Sequence, residues 1–166
     1  MNDAALRRSR VGVLFCTWAL AICSVSFAQK PSWDALMAAA GKAYQDRNFP
    51  EAEELYANAL QQAETFGPAD PHLAANLNNL AELYRQRDRF TEAEPLYERS
   101  IDIWQKARGF QDPSLAPVLS NLGELYRQMG RYPAAEPLFK RALEICEAAY
   151  SADDPGAASV SLLGGL

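Results

Sequence analysis

The sequence predicts an all-α fold, a solenoid in which three antiparallel helix pairs stack into a superhelix. Two observations predict it. One segment of the chain recurs at a spacing of 42 residues, and within each copy apolar residues recur twice at the spacing of an amphipathic helix. No segment shows a pattern typical of a strand. With 166 residues, of which 49% are hydrophobic, the chain has the size and composition of one folded domain.

The chain begins with a segment typical of a secretory signal peptide. A cluster of three arginines ending at Arg10 precedes an uncharged stretch over residues 11–29. Ser26 and Ala28 then place small side chains at the two positions that a signal peptidase reads. We therefore predict a signal peptide over residues 1–28, cleavage after Ala28, and a periplasmic or secreted protein.

Two alternatives to cleavage stay open for this segment. The first is an uncleaved inner-membrane anchor, because about 20 apolar residues are enough to span a bilayer. The second is a lipoprotein that carries its lipid on Cys23, although bulky Ile22 stands where a small residue is wanted. The anchor, like cleavage, places the remainder of the chain outside the cytoplasm.

Removing residues 1–28 changes the charge and the cysteine content. The remaining 138 residues carry 13 basic and 20 acidic side chains, a net charge of -7. Nucleic acid is therefore not predicted as a partner, because binding its backbone requires clustered Lys and Arg. Cys146 is the one cysteine left in this part, so no intramolecular disulfide is predicted. After cleavage the sequence predicts no association with a membrane.

The repeat is clearest in the second half of the chain. Residues 79–86 and 121–128 share the pattern Asn-Leu-(Ala/Gly)-Glu-Leu-Tyr-Arg-Gln. Farther along, residues 93–97 and 135–139 share Ala-Glu-Pro-Leu-(Tyr/Phe). A weaker first copy precedes them over residues 41–60, so the unit is present three times.

Each copy closes with an Asp-Pro pair, and these pairs mark the boundaries between repeats. The repeats are predicted within residues 29–158, at 33–70, 71–112 and 113–154. The remaining residues, 159–166, form a short apolar tail that resembles the start of a fourth copy.

The same pairs predict helix starts. The Asp carboxylate accepts hydrogen bonds from the free amides of a first turn, where Pro needs no amide partner. The first helices of copies two and three are therefore predicted to begin at Asp70-Pro71 and Asp112-Pro113. Gly130 supplies a left-handed residue after a helix, and Pro95 and Pro137 are predicted near the first turn of the second helices.

Small and aromatic residues recur at equivalent positions and are predicted to form the contacts between helices. A helix pair of this length cannot bury its apolar stripe alone, so each pair is expected to stack on the next. The small residues are Gly41, Ala81 and Gly123 at one position and Ala52, Ala93 and Ala135 at another. The aromatic columns are Tyr44, Tyr84 and Tyr126, and Tyr56, Tyr97 and Phe139.

This pattern resembles the tetratricopeptide repeat (TPR), in the 42-residue version found in kinesin light chains and in many bacterial repeat proteins. The resemblance covers residues 33–155 and depends on the two repeated phrases together with the linker Gly-Pro-Ala-Asp-Pro at 67–71. It implies a right-handed superhelix of helix pairs whose concave face binds peptides or partner proteins. The first copy departs from the pattern, because alanines at 38–40 replace its leucine and asparagine, and we place no binding residue in its first helix.

In such arrays the first helix of each pair lines the concave face, so its polar residues outside the packing stripe are the candidates for binding. An asparagine amide can donate to and accept from an extended peptide at once, and an arginine can hold a carboxylate through a bidentate pair. The predicted peptide-binding residues are Asn78, Asn79, Glu82, Arg85, Asn121, Glu124 and Arg127. The alternative is structural: the Glu and Arg side chains pair on a solvated face, and the asparagines join neighbouring repeats.

No enzyme, metal site or cofactor is predicted. His72 is the chain's single histidine, stands at a helix start without an acidic or cysteine partner at ligand spacing, and is predicted at the surface or at a joint. Cys146 occupies the place that Trp104 has one repeat earlier and is predicted to be a packed, inert thiol.

The predicted function is therefore a non-catalytic scaffold that binds a protein or peptide partner on the concave face. A second possibility comes from the apolar tail at 159–166, since terminal repeats normally end in a polar capping helix. Either the tail covers the last helix pair, or the C-terminal edge supports self-association as an assembly module. A truncated descendant of a longer array is a further alternative.

Overall fold

The computed structural model describes residues 30–153, and within them the fold class predicted from the sequence is confirmed. All the regular elements of this part are helices, which pack as a solenoid of pairs. They are α1 (Trp33–Gln45), α2 (Phe49–Ala63), α3 (Pro71–Gln86), α4 (Phe90–Arg108), α5 (Leu115–Gln128) and α6 (Tyr132–Asp153). The predicted signal peptide and the tail at 159–166 lie outside the described residues.

Each helix packs most extensively on its neighbours in sequence, which gives the pairs α1/α2, α3/α4 and α5/α6. The first helices of the pairs, α1, α3 and α5, also approach one another. α3 touches α5 directly, and the Tyr44 hydroxyl of α1 reaches Glu82 of α3 at 3.2 Å. The three first helices therefore lie side by side, and they carry the residues predicted to bind a peptide.

The helix starts follow the prediction in copy two but not in copy three. In copy two, Asp70 caps α3 by accepting a hydrogen bond from the His72 amide at 2.7 Å. In copy three the helix begins at Leu115, two residues later than predicted, because Pro117 lacks the amide that would bond back to the Pro113 carbonyl. The Asp112 carboxylate accepts from the Ser114 amide at 2.9 Å, as Asp70 does from the His72 amide, but here the contact closes a short turn before the helix.

Two further local predictions concern the glycine after α5 and the prolines of the second helices. Gly130 adopts a φ of 73°, the left-handed conformation expected after α5. Pro95 and Pro137 lie inside α4 and α6, five residues past the first residue of each helix, so they are not first-turn residues. Each removes one backbone hydrogen bond from its helix.

The apolar core runs along the array across the joints between pairs. One cluster extends from Ala63 to Ile145, and buried polar groups link helices within and between repeats. The Ser100 hydroxyl donates to the Ala74 carbonyl at 2.7 Å and fixes α4 on α3. The buried amide of Asn76 bridges to α2 with donor and acceptor distances of 3.2 Å, in the orientation that satisfies both of its atoms.

The small residues predicted at one position of the first helices do not have one role. A Cβ on Gly123 would lie 2.9 Å from the Phe139 ring, so here a small residue permits close packing. At Gly41 no side-chain atom lies within 4 Å of the same position. The expectation of tight packing is therefore correct for Gly123 and wrong for Gly41, which faces an open cleft.

The prediction of a packed Cys146 is wrong, because the residue is exposed. Its equivalent Trp104 is buried in the apolar core of the array. On the same helix as Cys146, Phe139 is 38% and Leu143 59% exposed. Trp104 belongs to a cluster that includes residues of α5 and α6, the repeat that follows it.

Candidate functional site

The asparagines predicted to bind a peptide lie next to one another on α3 and α5. The Asn121 side-chain amide donates to the Asn78 oxygen at 3.0 Å, and the Asn78 amide donates to the Asn79 oxygen at 3.3 Å. All three side chains are half-buried. The chain of amides joins repeats two and three, as the structural alternative expected, and it ends at Asn79 on the side of repeat one.

Glu82 is the centre of a second hydrogen-bonded group on the same face. Its carboxylate accepts from Tyr44 at 3.2 Å and from Tyr97 at 2.9 Å. Arg85 donates to it through two nitrogens, at 2.9 and 2.6 Å, and Gln86 donates at 3.0 Å. One half-buried carboxylate thus connects α1, α3 and α4.

The titration behaviour of this group follows from its geometry. Burial would raise the pKa of Glu82, but hydrogen bonds from Arg85 and Gln86 outweigh it and lower that pKa. Burial, with the charge of Glu82, raises the pKa of Tyr44 to about 12 and that of Tyr97 well above its usual range. At neutral pH the carboxylate is ionised and both hydroxyls are protonated, as the hydrogen bonds require.

Glu124 is the equivalent carboxylate of repeat three and has fewer partners. Arg127 donates to it at 2.7 and 2.6 Å, and Gln128 donates at 2.9 Å. The Arg85 guanidinium lies 4.0 Å away. Phe139 stands where repeat two has Tyr97, so no second-helix hydroxyl reaches this carboxylate.

The two arginines predicted to hold a peptide carboxylate are therefore already paired. The Arg85 side chain is 11% exposed and is bound to Glu82 through two nitrogens. Arg127 is exposed but is bound in the same bidentate way to Glu124. The charges alternate in sign along the face and neutralise one another, so a peptide acid would have to displace an existing partner.

An open cleft lies between repeats one and two, beside Asn79. Its volume is about 270 Å³, and it is lined by Gly41, Tyr44, Gln45, Tyr56, Asn79 and Glu82. Four of these six residues belong to repeat one, where the sequence predicts no binding residue. Gly41 opens the cleft, since the equivalent Ala81 carries a Cβ that is fully buried.

A sequence signal for this cleft exists. It is the glycine at position 41, where no atom of Tyr56 lies within 4 Å of the position of a Cβ, whereas at the equivalent Gly123 the Phe139 ring fills that space. A different cleft lies between repeats two and three, with a volume of about 400 Å³ and a more polar lining. It is lined by Arg85, Gln86, Asp88, Phe90 and Gln128.

The repeated Arg-(Phe/Tyr) motif before each later second helix forms the joints between repeats. Arg89 lies over the Tyr84 ring at 4.0 Å and pairs with Glu53 of the preceding repeat at 2.8 Å. One repeat later, Arg131 lies over Tyr126 at 4.2 Å and pairs with Glu94 at 2.7 Å. These residues stabilise the stacking of successive repeats.

Residues 30–153 contain no group of three side chains arranged to hold a metal ion. None of the helices in the same part of the chain is long and apolar enough to cross a membrane.

Comparison with known proteins gives a consistent result. A family model for the tetratricopeptide repeat matches residues 35–106 and 114–163. The chain is similar to the crystal structure of BtubC (BKLC) from P. vanneervenii, with 27% identity and a TM-score of 0.67 over 74% of this chain and 50% of that one. No relative was found among curated protein sequences.

Two further solved structures share the fold. A putative kinesin light chain from Podosopora anserina with nearly identical TPR-like repeats has 23% identity and a TM-score of 0.64, over 76% of this chain and 60% of that one. The N-terminal domain of stress-induced protein-1 (STI-1) from C. elegans has 21% identity and a TM-score of 0.56, over 76% and 89%.

The chain spans 50–60% of the length of BtubC and of the putative kinesin light chain. Proteins built from these repeats generally bind other proteins and act as interaction scaffolds, mostly without catalysis of their own. The matched residues, the three helix pairs and the repeated joints lead to the same conclusion. The chain belongs to the tetratricopeptide repeat family.

Proposed function

We propose that this protein binds an extended peptide segment of a partner protein along the concave face formed by α1, α3 and α5. The observation that carries the proposal is the open cleft of about 270 Å³ beside Asn79. It lies at the end of the chain of amides that runs from Asn121 through Asn78. A peptide side chain entering the cleft would place its backbone against these amides.

The chemistry of the face favours recognition by hydrogen bonds and shape over recognition by net charge. Glu82 and Glu124 are each neutralised by a bidentate arginine. The cleft offers the rings of Tyr44 and Tyr56 together with the Asn79 amide. The affinity for a peptide should therefore change little with ionic strength, unlike binding that depends on unpaired charges.

The test uses a double variant and a matched control. Wild-type protein, Asn79→Ala plus Asn121→Ala, and Asn58→Ala are each used to recover partners from a periplasmic extract. Asn58 is an exposed asparagine of α2 and does not line the cleft. The proposal is supported if the double variant loses a partner that Asn58→Ala retains. Equal recovery by all three proteins would contradict it.

We also propose that the protein is exported and acts without catalysis. The basic cluster, the uncharged stretch and the small residues at Ser26 and Ala28 support cleavage after Ala28 and a periplasmic or secreted location. Mass spectrometry of the protein from its native cells should find an N-terminus at Gln29. An intact Met1 species would instead favour an inner-membrane anchor.

A second candidate function is self-association through the outer face of α6. Phe139 and Leu143 are exposed there. Glu136 pairs within its own helix with Lys140, whereas its equivalents Glu53 and Glu94 pair with arginines of the following repeat. Sedimentation of wild type against Leu143→Glu tests this: association that the variant abolishes supports it, and a wild-type monomer at high concentration counts against it.

A further inference from the structure

A second cleft lies at the first joint between repeats, away from the proposed peptide-binding face. Its volume is about 330 Å³, and it is lined by Trp33, Asp34, Phe66, Asp70 and His72. These residues come from the start of α1, the linker after α2 and the start of α3. His72 and Glu82 are ten residues apart on α3, which separates the two clefts by roughly 15 Å along the helix axis.

Three aromatic rings form the wall of this cleft. The His72 ring meets the Trp33 ring edge to face, with centroids 4.6 Å apart and an interplanar angle of 85°. It meets the Phe66 ring at 5.6 Å and 72°. Phe66 is 48% exposed, a high value for so large an apolar side chain. Because the His72 ring is steeply inclined to both of the others, the cleft presents ring faces and ring edges to a molecule that enters it.

The charge of the lining is negative. Asp34 and Asp70 carry carboxylates, and no Lys or Arg is among the residues that line the cleft. The N-termini of α1 and α3 each contribute a partial charge of about +0.5, so two carboxylates leave a net charge of about -1. One oxygen of Asp70 accepts from the His72 amide and faces its Nδ1, both at 2.7 Å, so the expectation that His72 has no acidic partner is wrong.

Comparison of the two joints shows that stacking does not require these rings. At the second joint Leu73 stands in the place of Trp33, Arg108 in the place of Phe66, and Ser114 in the place of His72. The repeats nevertheless pack continuously through that joint. The three aromatic residues that form the wall are therefore a local departure from the repeat pattern. They occur at the same joint at which two carboxylates line the cleft.

We propose that this cleft binds a methylated ammonium group, such as that of a choline derivative or of a trimethylated lysine side chain. A cation among aromatic rings is attracted by the negative ring faces, and its methyl groups fill apolar space that a hydrated ion would leave wet. The two carboxylates supply the opposite charge at the rim. Binding here does not depend on peptide binding along the first helices.

The test measures binding through the single histidine of the chain. His72 forms part of the wall, so its imidazole proton resonances report directly on the cleft, provided that the protein carries no histidine tag. The full chain is titrated with choline and, in parallel, with 3,3-dimethyl-1-butanol, which has the same shape without the charge. Ionic strength is matched with sodium chloride.

We expect choline to bind with a dissociation constant on the order of 1–10 mM and roughly 3- to 30-fold more tightly than the neutral alcohol. In the second arm of the experiment, the chain is titrated with acetyl-trimethyllysine methylamide. Tighter binding than choline indicates a protein-borne ligand, and weaker binding indicates a small molecule or headgroup. Equal binding of choline and the neutral alcohol, or no shift with choline, overturns the proposal.

Variants separate the cleft from general effects on the fold. Phe66→Leu keeps apolar volume but removes a ring, and it should weaken choline binding at least about fivefold while changing the alcohol less than about twofold. Phe110→Leu is the matched control, because Phe110 is 67% exposed in the linker of the second joint. It should bind choline as wild type does.

Asp34→Asn provides a second, independent variant in the exposed first turn of α1. It removes one carboxylate without touching a ring, and we expect about threefold weaker choline binding with no change for the alcohol. If both Phe66→Leu and Asp34→Asn bind choline as wild type does, the ammonium site is not at this cleft.

Discussion

Glu82 and Glu124 occupy the same place in successive repeats with nearly the same flanking sequence, yet their surroundings differ. Glu82 is bound by two tyrosine hydroxyls, an arginine and a glutamine from three helices. Glu124 is bound by residues of its own helix, with Arg85 of the preceding repeat at 4.0 Å. Each of these two repeats thus places a carboxylate at this position. The residues around the carboxylate determine whether it links several helices.

The difference has two identifiable causes. In repeat two, Tyr97 supplies a hydroxyl from the second helix, and repeat three has Phe139 at that position. From the preceding repeat, Tyr44 donates to Glu82, whereas the equivalent Tyr84 lies near Glu53 of repeat one, and burial together with the Glu53 charge raises the pKa of Tyr84. Within the same tyrosine column, Tyr44 therefore serves a first-helix carboxylate, whereas Tyr84 and Tyr126 face second-helix carboxylates of the repeat before them.

The largest expected effect comes from removing each carboxylate in turn. Glu82→Ala leaves the Arg85 charge and the Tyr97 hydroxyl half-buried or buried without their partner, and it should lower the free energy of unfolding by about 3 kcal/mol. Glu124→Ala removes a more exposed pair and should cost less than about 1 kcal/mol. Urea unfolding of the two variants measures this, and equal losses would contradict the comparison.

Exchanging the aromatic residues should make the two repeats more alike. Tyr97→Phe gives repeat two the residue of repeat three and removes one buried hydrogen bond to a carboxylate, at a cost of about 1.5 kcal/mol. Phe139→Tyr places a hydroxyl on a half-exposed ring and should change the unfolding free energy by less than about 0.5 kcal/mol. Thermal unfolding of both variants tests the pair, and a large gain from Phe139→Tyr would show that the hydroxyl alone decides the difference.

Acid should act through the same carboxylates. Both have a pKa below the ordinary glutamate value of 4.5, so their contribution to stability is present above that pH and is lost as the pH falls through their lower folded-state values. The difference in stability between wild type and Glu82→Gln should shrink as the pH falls below about 4.5. The corresponding difference for Glu124→Gln should start smaller, and a difference for Glu82→Gln that grows on acidification would contradict the assignment.

The smallest expected effect concerns the two glycines at one position of the repeat. Gly41→Ala meets open space and should stabilise α1 by roughly 0.5–1 kcal/mol. Gly123→Ala must displace the Phe139 ring, and it should destabilise by about 1 kcal/mol. Chemical unfolding gives both values, while peptide binding by Gly41→Ala reports whether a methyl group in the cleft beside Asn79 interferes. Stabilisation by both substitutions would show that the Phe139 ring moves aside at little cost in free energy.

Local signals in the sequence predict most of the fold. The spacing of apolar residues predicts three helix pairs, and Asp70 before Pro71 predicts the start of α3. The start of α5 differs from its prediction because Pro117 weakens the first turn that Asp112 and Pro113 would begin. Such an error arises where a helix-start signal and a residue that weakens the first turn lie within one turn of each other.

The candidate site is less predictable, because it depends on contacts between repeats. The sequence identifies Asn79 and Glu82 on α3, but the cleft they share with Tyr56 arises from the space above Gly41. Likewise Cys146 has the spacing of a core residue and is exposed, whereas its equivalent Trp104 is buried in a cluster that includes residues of α5 and α6. Spacing within a helix identifies which face is apolar, and it does not identify what covers that face.

The central claim, that a peptide lies on the first-helix face beside Asn79, can be tested before the partner is identified. A benzoylphenylalanine photocrosslinker is placed at Gln45, which lines the cleft, and in a matched protein at Gln61, an exposed residue of α2 outside it. After irradiation in a periplasmic extract, we predict a protein adduct from position 45 and none from position 61. Adducts from position 61 alone, or in equal amount from both, would contradict the account.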